Sequence, residues 1–192
     1  MSDILTIDTS KNLYANNQLD PLPLYDERHP MMSQSIPEYD TRDLPNRHIE
    51  SLIARLKITM KLYGGLGLSA NQCGVFERLF ILGHEDFILS CINPKVVEES
   101  KEMVREREGC LSFPGMFLTV ERPSWIVAEF VTESGETQRM RLDGITARCY
   151  LHELDHMNGV TFTQRVGPTA LMLAKKKQSK IMKQIVRKQK SK

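Results

Sequence analysis

Few local patterns restrict a chain more than Leu151-His152-Glu153-Leu154-Asp155-His156, because it demands a helix and also a partner segment from elsewhere in the fold. On a helix, His152 and His156 lie four residues apart on one face, near enough for both imidazoles to bind one metal ion, with Glu153 beside them. Ile145, Cys149, His152 and His156 continue the same stripe at intervals of four, three and four residues. Asp143 is the expected cap at the start of this helix. Gly159, after Asn158, is the expected left-handed stop. A core helix with two ordinarily hydrogen-bonded histidines would show the same spacing, so the metal reading needs a further ligand. A catalytic zinc-like site normally takes three protein ligands and keeps one position for water. None lies downstream, since no Asp, Glu, His or Cys occurs from Met157 to Lys192 and the sixth residue after His156 is Phe162. The chain must therefore bring an upstream segment to this helix.

The upstream candidate is Cys110, in Glu108-Gly109-Cys110-Leu111-Ser112-Phe113-Pro114-Gly115. Gly109 and Pro114-Gly115 mark irregular backbone, which exposes the thiol and the neighbouring N–H groups. A thiolate is a strong ligand for zinc or ferrous iron. The competing reading, a small buried hydrophobe, suits Cys91 and Cys149 better. Cys73, Cys91, Cys110 and Cys149 show no CxxC spacing, so free thiols in a reducing compartment are expected. A second stretch, Gly65-Leu66-Gly67-Leu68-Ser69-Ala70-Asn71-Gln72, lets backbone run close to a ligand at its glycines. Gln72 then offers an amide able to donate to developing negative charge. A plain turn with a surface Gln72 is the alternative.

The 192 residues, 41% of them hydrophobic, suggest one domain with a proper core. No apolar run approaches a membrane span and the N-terminus lacks a secretory pattern, so a cytosolic location is expected. Residues 1 to 45, punctuated by Pro21, Pro23, Pro30, Pro37 and Pro45, read as an extended wrapping segment with a short strand at Ile4 to Ile7 and His29 in a loop. From Asn46, the stripe Ile49, Ile53, Leu56, Met60 and Tyr63 predicts a core helix ended by Gly64-Gly65. Apolar runs predict strands at 79–82, 87–92, 117–120, 125–131 and 138–142, with Asn93-Pro94 closing the second and residues 133–136 turning between the last two. The expected class is α+β, with mostly antiparallel strands packed around a central HExxH helix, an N-terminal core helix and a basic C-terminal helix.

Composition shifts at the end. Nine of the 26 Lys and Arg residues, and none of the 24 acidic ones, fall from Leu171 to Lys192, leaving residues 1–170 at net −7. Pro168 or Thr169 onward reads as a helix, with Ala174, Gln178, Ile181 and Ile185 on a partly apolar face. A basic helix suits either an RNA surface or a solvated end, and the acidic body argues against a broad nucleic-acid-binding surface.

The stretches 65–72, 108–112 and 152–156 resemble, in order, the three signature motifs of the peptide deformylases, over roughly residues 21 to 170. Ser69 stands where that family usually has Ala, Gly64 where an acidic residue is common, and Phe117 near where some members carry an Arg that helps place the peptide. The resemblance implies removal of the formyl group from N-formylmethionyl ends of nascent polypeptides. It divides the chain into an N-terminal extension (1–20), a catalytic domain (21–170) and a basic helical tail (171–192). Cys110, His152 and His156 would hold one divalent ion, Fe(II) by family likeness, although Zn(II), Ni(II) and Co(II) suit the same ligands. Glu153 would move the proton of the activated water to the departing amine. Gln72 and the Leu111 N–H match the family's donors to the oxyanion. Gly67 would bind the peptide backbone, and Leu66, Ile145 and Cys149 the methionine side chain. The expected partners are nascent peptides and, through the basic helix, ribosomal RNA, for a monomer that binds no membrane. The expected setting is the cytoplasm of a bacterium or of a phage-infected host, since residues 1–20 carry one Lys and no Arg, unlike an organellar transit peptide. A metallopeptidase shares HExxH but lacks its downstream ligand here. An RNA-binding module would leave the metal motif without a role.

Overall fold

The computed structural model describes residues 19–84 and 87–190, and the strand expected at Ile4 to Ile7 lies outside them. The first helix, α1, spans Arg47–Tyr63. Asn46 caps it, its Oδ1 accepting the Ile49 N–H at 3.0 Å. Gly64 ends it at φ 68, a left-handed conformation that a β-carbon disfavours. Ile49, Ile53, Leu56 and Met60 are buried against Leu68, Leu79, Ile81 and Ile92, so the stripe read from spacing does face the sheet.

Seven strands follow in chain order: β1 (Gly67–Ser69), β2 (Leu79–His84), β3 (Phe87–Glu99), β4 (Met103–Gly109), β5 (Phe117–Pro123), β6 (Trp125–Val131) and β7 (Thr137–Asp143). Five form one sheet in the order β1-β2-β3-β6-β7, and β4 pairs with β5 in a second. Every pairing is antiparallel. Asn93-Pro94 does not end its strand. The register of β3 against β6 shifts between Ile92 and Lys95, so the chain takes up Pro94 at an irregularity rather than in regular ladder. Asn93, at φ 50, also exchanges two 2.8 Å hydrogen bonds with the Tyr39 backbone. This ties the N-terminal segment to the sheet. Over residues 19–45 that segment is extended apart from two short 3-10 turns, Pro30–Ser33 and Thr41–Asp43, with Leu22, Leu24, Met32 and Ile36 buried and His29 accepting the Met31 N–H at the start of the first turn.

Helix α2, Gly144–Met157, carries the HExxH pattern. Ala147, Tyr150 and Met157 pack on Phe80, Ile126, Ala128 and Phe130 of the large sheet, which leaves the opposite face for β4, β5 and the turn between them. Asp143 occupies the cap position without capping, because its carboxylate takes hydrogen bonds from Arg141 instead. Gly159 follows the helix at φ 68, as its position suggests. Helix α3, Pro168–Lys190, lies on the segment after Cys110: Leu171 and Ala174 pack with Phe113, Met116 and Leu118, and Gln178 donates to the Pro114 carbonyl at 3.2 Å. Ile185, expected on the same face, is exposed. The protein is thus a mixed α/β fold of two antiparallel sheets and three α-helices among the described residues. No helix there is long and apolar enough to cross a membrane.

Candidate metal centre

Gly109 ends β4, and the chain turns at once, closed by the Phe113 N–H on the Cys110 carbonyl at 3.0 Å. This turn carries Cys110 to the free face of α2. The candidate ligand atoms of Cys110, His152 and His156 all lie within 4.8 Å of one another. Bonds of about 2.3 Å to sulfur and about 2.1 Å to nitrogen, at a tetrahedral angle, separate ligand atoms by roughly 3.4–3.6 Å. Cys110 Sγ lies 3.3 Å from His156 Nε2, close to that spacing. One thiolate and two imidazoles so arranged fit a divalent transition metal.

His152 is oriented from behind. Its Nδ1 meets Glu108 Oε2 at 3.0 Å, which directs Nε2 into the site. Glu108 is held in turn by Arg122, at 2.9 and 3.0 Å, and by Arg148 at 2.7 Å. Arg122 reaches on to Asp155 at 2.7 Å, and Asp155 also pairs with Arg165. Burial opposes ionisation of Glu108, but the hydrogen bonds from His152 and Arg122 outweigh it and hold the carboxyl down at about 2. Burial likewise works against a charged His152, yet its hydrogen bonds to Cys110 and Glu108 prevail and raise its pKa to about 10. Sequence reading did not assign this network. Its signal was present, in Arg148 and Asp155 one turn either side of His152 on a helix otherwise read as core.

The Gly-rich stretch reaches the same place. Ser69 Oγ donates to Glu153 Oε2 at 2.7 Å, and the Asn71 side-chain amide donates to the His156 carbonyl at 2.8 Å. Burial raises the pKa of Glu153, with the charge of His152 and the Ser69 hydrogen bond acting the other way. A Cβ on Gly67 would lie 2.5 Å from Glu153 Oε1 and 2.7 Å from Cys149 Sγ, so only glycine allows this approach. Gln72 is not a surface residue, being 2% exposed. Its Oε1 accepts the Ser69 N–H at 2.9 Å, which turns Nε2 toward Ser112 Oγ at 3.1 Å and Cys110 Sγ at 3.5 Å. The Leu111 N–H donates to no backbone carbonyl among the described residues.

A cavity of about 400 Å³ opens over these groups, and Leu66, Gly67, Ile145 and Cys149 line it. Ile145 stands at the rim, 59% exposed, where a smaller cavity of about 260 Å³ shares it with Leu66 and Cys149. Burial pushes the Cys149 and Cys91 thiols well up, and that of Cys73 to about 12, so these remain neutral.

A family model described as polypeptide deformylase matches residues 21–171. The chain belongs to the polypeptide deformylase family. A peptide deformylase of Thermotoga petrophila is 36% identical over 140 residues, covering 73% of this chain and 85% of its own length. Among solved structures, a peptide deformylase from Synechococcus elongatus in complex with actinonin superposes with a TM-score of 0.78 at 33% identity, over 83% of this chain and 88% of that one. One from Legionella pneumophila reaches 0.79 at 26% identity, over 87% and 98%. The family match contains the three stretches that meet at the centre and stops near the start of α3.

Proposed function

We propose that Cys110, His152 and His156 hold one divalent ion at the centre where this deformylase removes the formyl group from N-formylmethionyl ends of nascent polypeptides. The observation that carries the assignment is the convergence of these ligand atoms within 4.8 Å above a cavity lined by Glu153, Gln72 and Gly67. A cation held by these three residues would supply Lewis acidity for activating water and the formyl carbonyl. Glu153, kept basic by burial and steered by Ser69, takes the proton of the attacking water and delivers it to the departing amine. The Gln72 amide and the Leu111 N–H donate to the oxygen that becomes negative, each worth roughly 100- to 1,000-fold in rate.

Gly67 binds the peptide backbone. Because the Leu66 carbonyl accepts the Gly83 N–H, ladder alternation turns the N–H and C=O of Gly67 away from β2 toward the open edge of the sheet. A peptide added there as an extra strand extends toward Leu66, Cys149 and Ile145, which receive the methionine side chain. Iron is the preferred ion by family likeness, with zinc, nickel and cobalt compatible with the same donors. Residues 21–170 form the catalytic domain, flanked by an extension at 1–20 and a basic tail at 171–192. The enzyme acts as a cytoplasmic monomer whose α3 meets ribosomal RNA. Supporting that contact, Leu171, Ala174 and Ile181 turn inward while Lys175, Lys176, Lys177, Lys180 and Lys183 are exposed. Exchange of these lysines for Glu should abolish ribosome co-sedimentation in moderate salt, and unchanged co-sedimentation would remove the contact.

The deciding experiment is formate release from formyl-Met-Ala-Ser by protein purified anaerobically and loaded with Fe(II), Ni(II), Zn(II) or Co(II), beside Glu153→Ala. Wild type should release formate and Glu153→Ala should lose at least about 100-fold while still binding the ion. Absence of formate with every metal would overturn the assignment.

A further inference from the structure

The mouth of the cavity carries a cation that the mechanism does not use. β4 and β5 pair with Arg107 opposite Thr119 and Gly109 opposite Phe117, which makes Arg107 and Phe117 diagonal neighbours across the ladder. The Phe117 ring lies over Gly109, where a Cβ would come within 2.8 Å of it. The Arg107 guanidinium stacks on that ring, its central carbon 4.0 Å from the centroid. Both side chains line the cavity and both are exposed. The other arginine of the cavity wall, Arg148, is committed to Glu106 and Glu108 at 3.0 and 2.7 Å. Arg107 makes no ion pair among the described residues. Stacking on an aromatic face restrains a guanidinium without neutralising it, so its planar donors stay available to a carboxylate.

We propose that Arg107, seated on Phe117, is a specificity-determining residue that favours substrates carrying a carboxylate shortly after the formylmethionine. This rests on the cavity being the peptide site. The carboxylate can be an Asp or Glu side chain at the second or third residue, or the free C-terminus of a short peptide. On a nascent chain only the side chains qualify, so acidic early residues speed deformylation there and basic ones slow it.

The test compares kcat/KM for formyl-Met-Ala-Ser as free acid, the same peptide as C-terminal amide, and amidated peptides with Asp at the second or the third position. Wild type, Arg107→Gln, Arg107→Glu and Phe117→Leu are each assayed at low and high salt. In wild type at low salt, carboxylate-bearing peptides should exceed the neutral amide by about two- to five-fold, the size of an exposed ion pair, and the margin should shrink with salt. The acid and the Asp peptides separate the two sources of the carboxylate. The ratio should fall to about one in Arg107→Gln, invert in Arg107→Glu and diminish in Phe117→Leu. A variant that merely loses activity lowers all peptides alike, so ratios unchanged from wild type overturn the proposal. No formate release from the neutral amide by wild type would overturn the site assignment and this proposal with it.

Discussion

At the floor of the cavity, Glu108, Arg122, Arg148, His152 and Asp155 are buried and joined in one network of ion pairs and hydrogen bonds. At its mouth, Leu66, Phe117 and Ile145 are exposed and Arg107 rests on an aromatic ring. The contrast has a physical reason. In the interior a charge that loses its partner keeps its desolvation cost, so a change at one floor residue reaches all of them. An exposed side chain is screened and carries little of the folding energy, so the mouth can change without disturbing the floor. On the proposed assignment, chemistry belongs to the floor and the choice of peptide to the mouth.

Substitutions can break this division or sharpen it. The largest loss of stability should come from Arg122→Met, about 3 kcal/mol by denaturant unfolding, the low end for breaking a buried pair. It is the low end because Arg148 and Arg165 still reach Glu108 and Asp155. Gly67→Ala should act on turnover, since the added methyl displaces Glu153 or Cys149; a shift near 1 Å costs about 100-fold, read as kcat on formyl-Met-Ala-Ser. Glu108→Gln removes the charge and one of the two oxygens that His152, Arg122 and Arg148 share, and should weaken metal retention about 10- to 100-fold in a chelator competition. Ile145→Ala, at the rim, should leave the unfolding midpoint within about 0.5 kcal/mol of wild type and alter only the preference among formylated side chains, by about 1–3 kcal/mol at most. A stability loss at Ile145 as large as that at Arg122 would erase the distinction.

Legibility in the sequence follows the same line. The histidines, Cys110 and the stripe of α1 were readable because chemistry or packing needs those residue types at fixed intervals. β6 was readable over Trp125–Val131 because six of its seven residues are apolar, a run that strands favour. β4 was not, since Arg105-Glu106-Arg107-Glu108 shows no apolar alternation and is a strand only through its pairing with β5. Asn93-Pro94 looked like an end and is an irregularity, because the sheet accommodates what local preference would break. For Gln72 a surface turn stayed open as the alternative, because nothing local reveals that the Cys110 turn covers it. Ser69, standing where the family usually has Ala, holds Glu153. In each case the missing information was a contact between segments far apart in the chain.

The ligand set itself is open to the most direct measurement: optical absorption of the protein loaded with Co(II), wild type beside Cys110→Ser. If Cys110 binds the metal with His152 and His156, wild type shows a thiolate-to-cobalt charge-transfer band that Cys110→Ser lacks. The thiols of Cys73, Cys91 and Cys149, whose pKa desolvation raises, are not expected to restore it. A band of equal intensity in Cys110→Ser would contradict the assignment and move the metal away from the floor of the cavity.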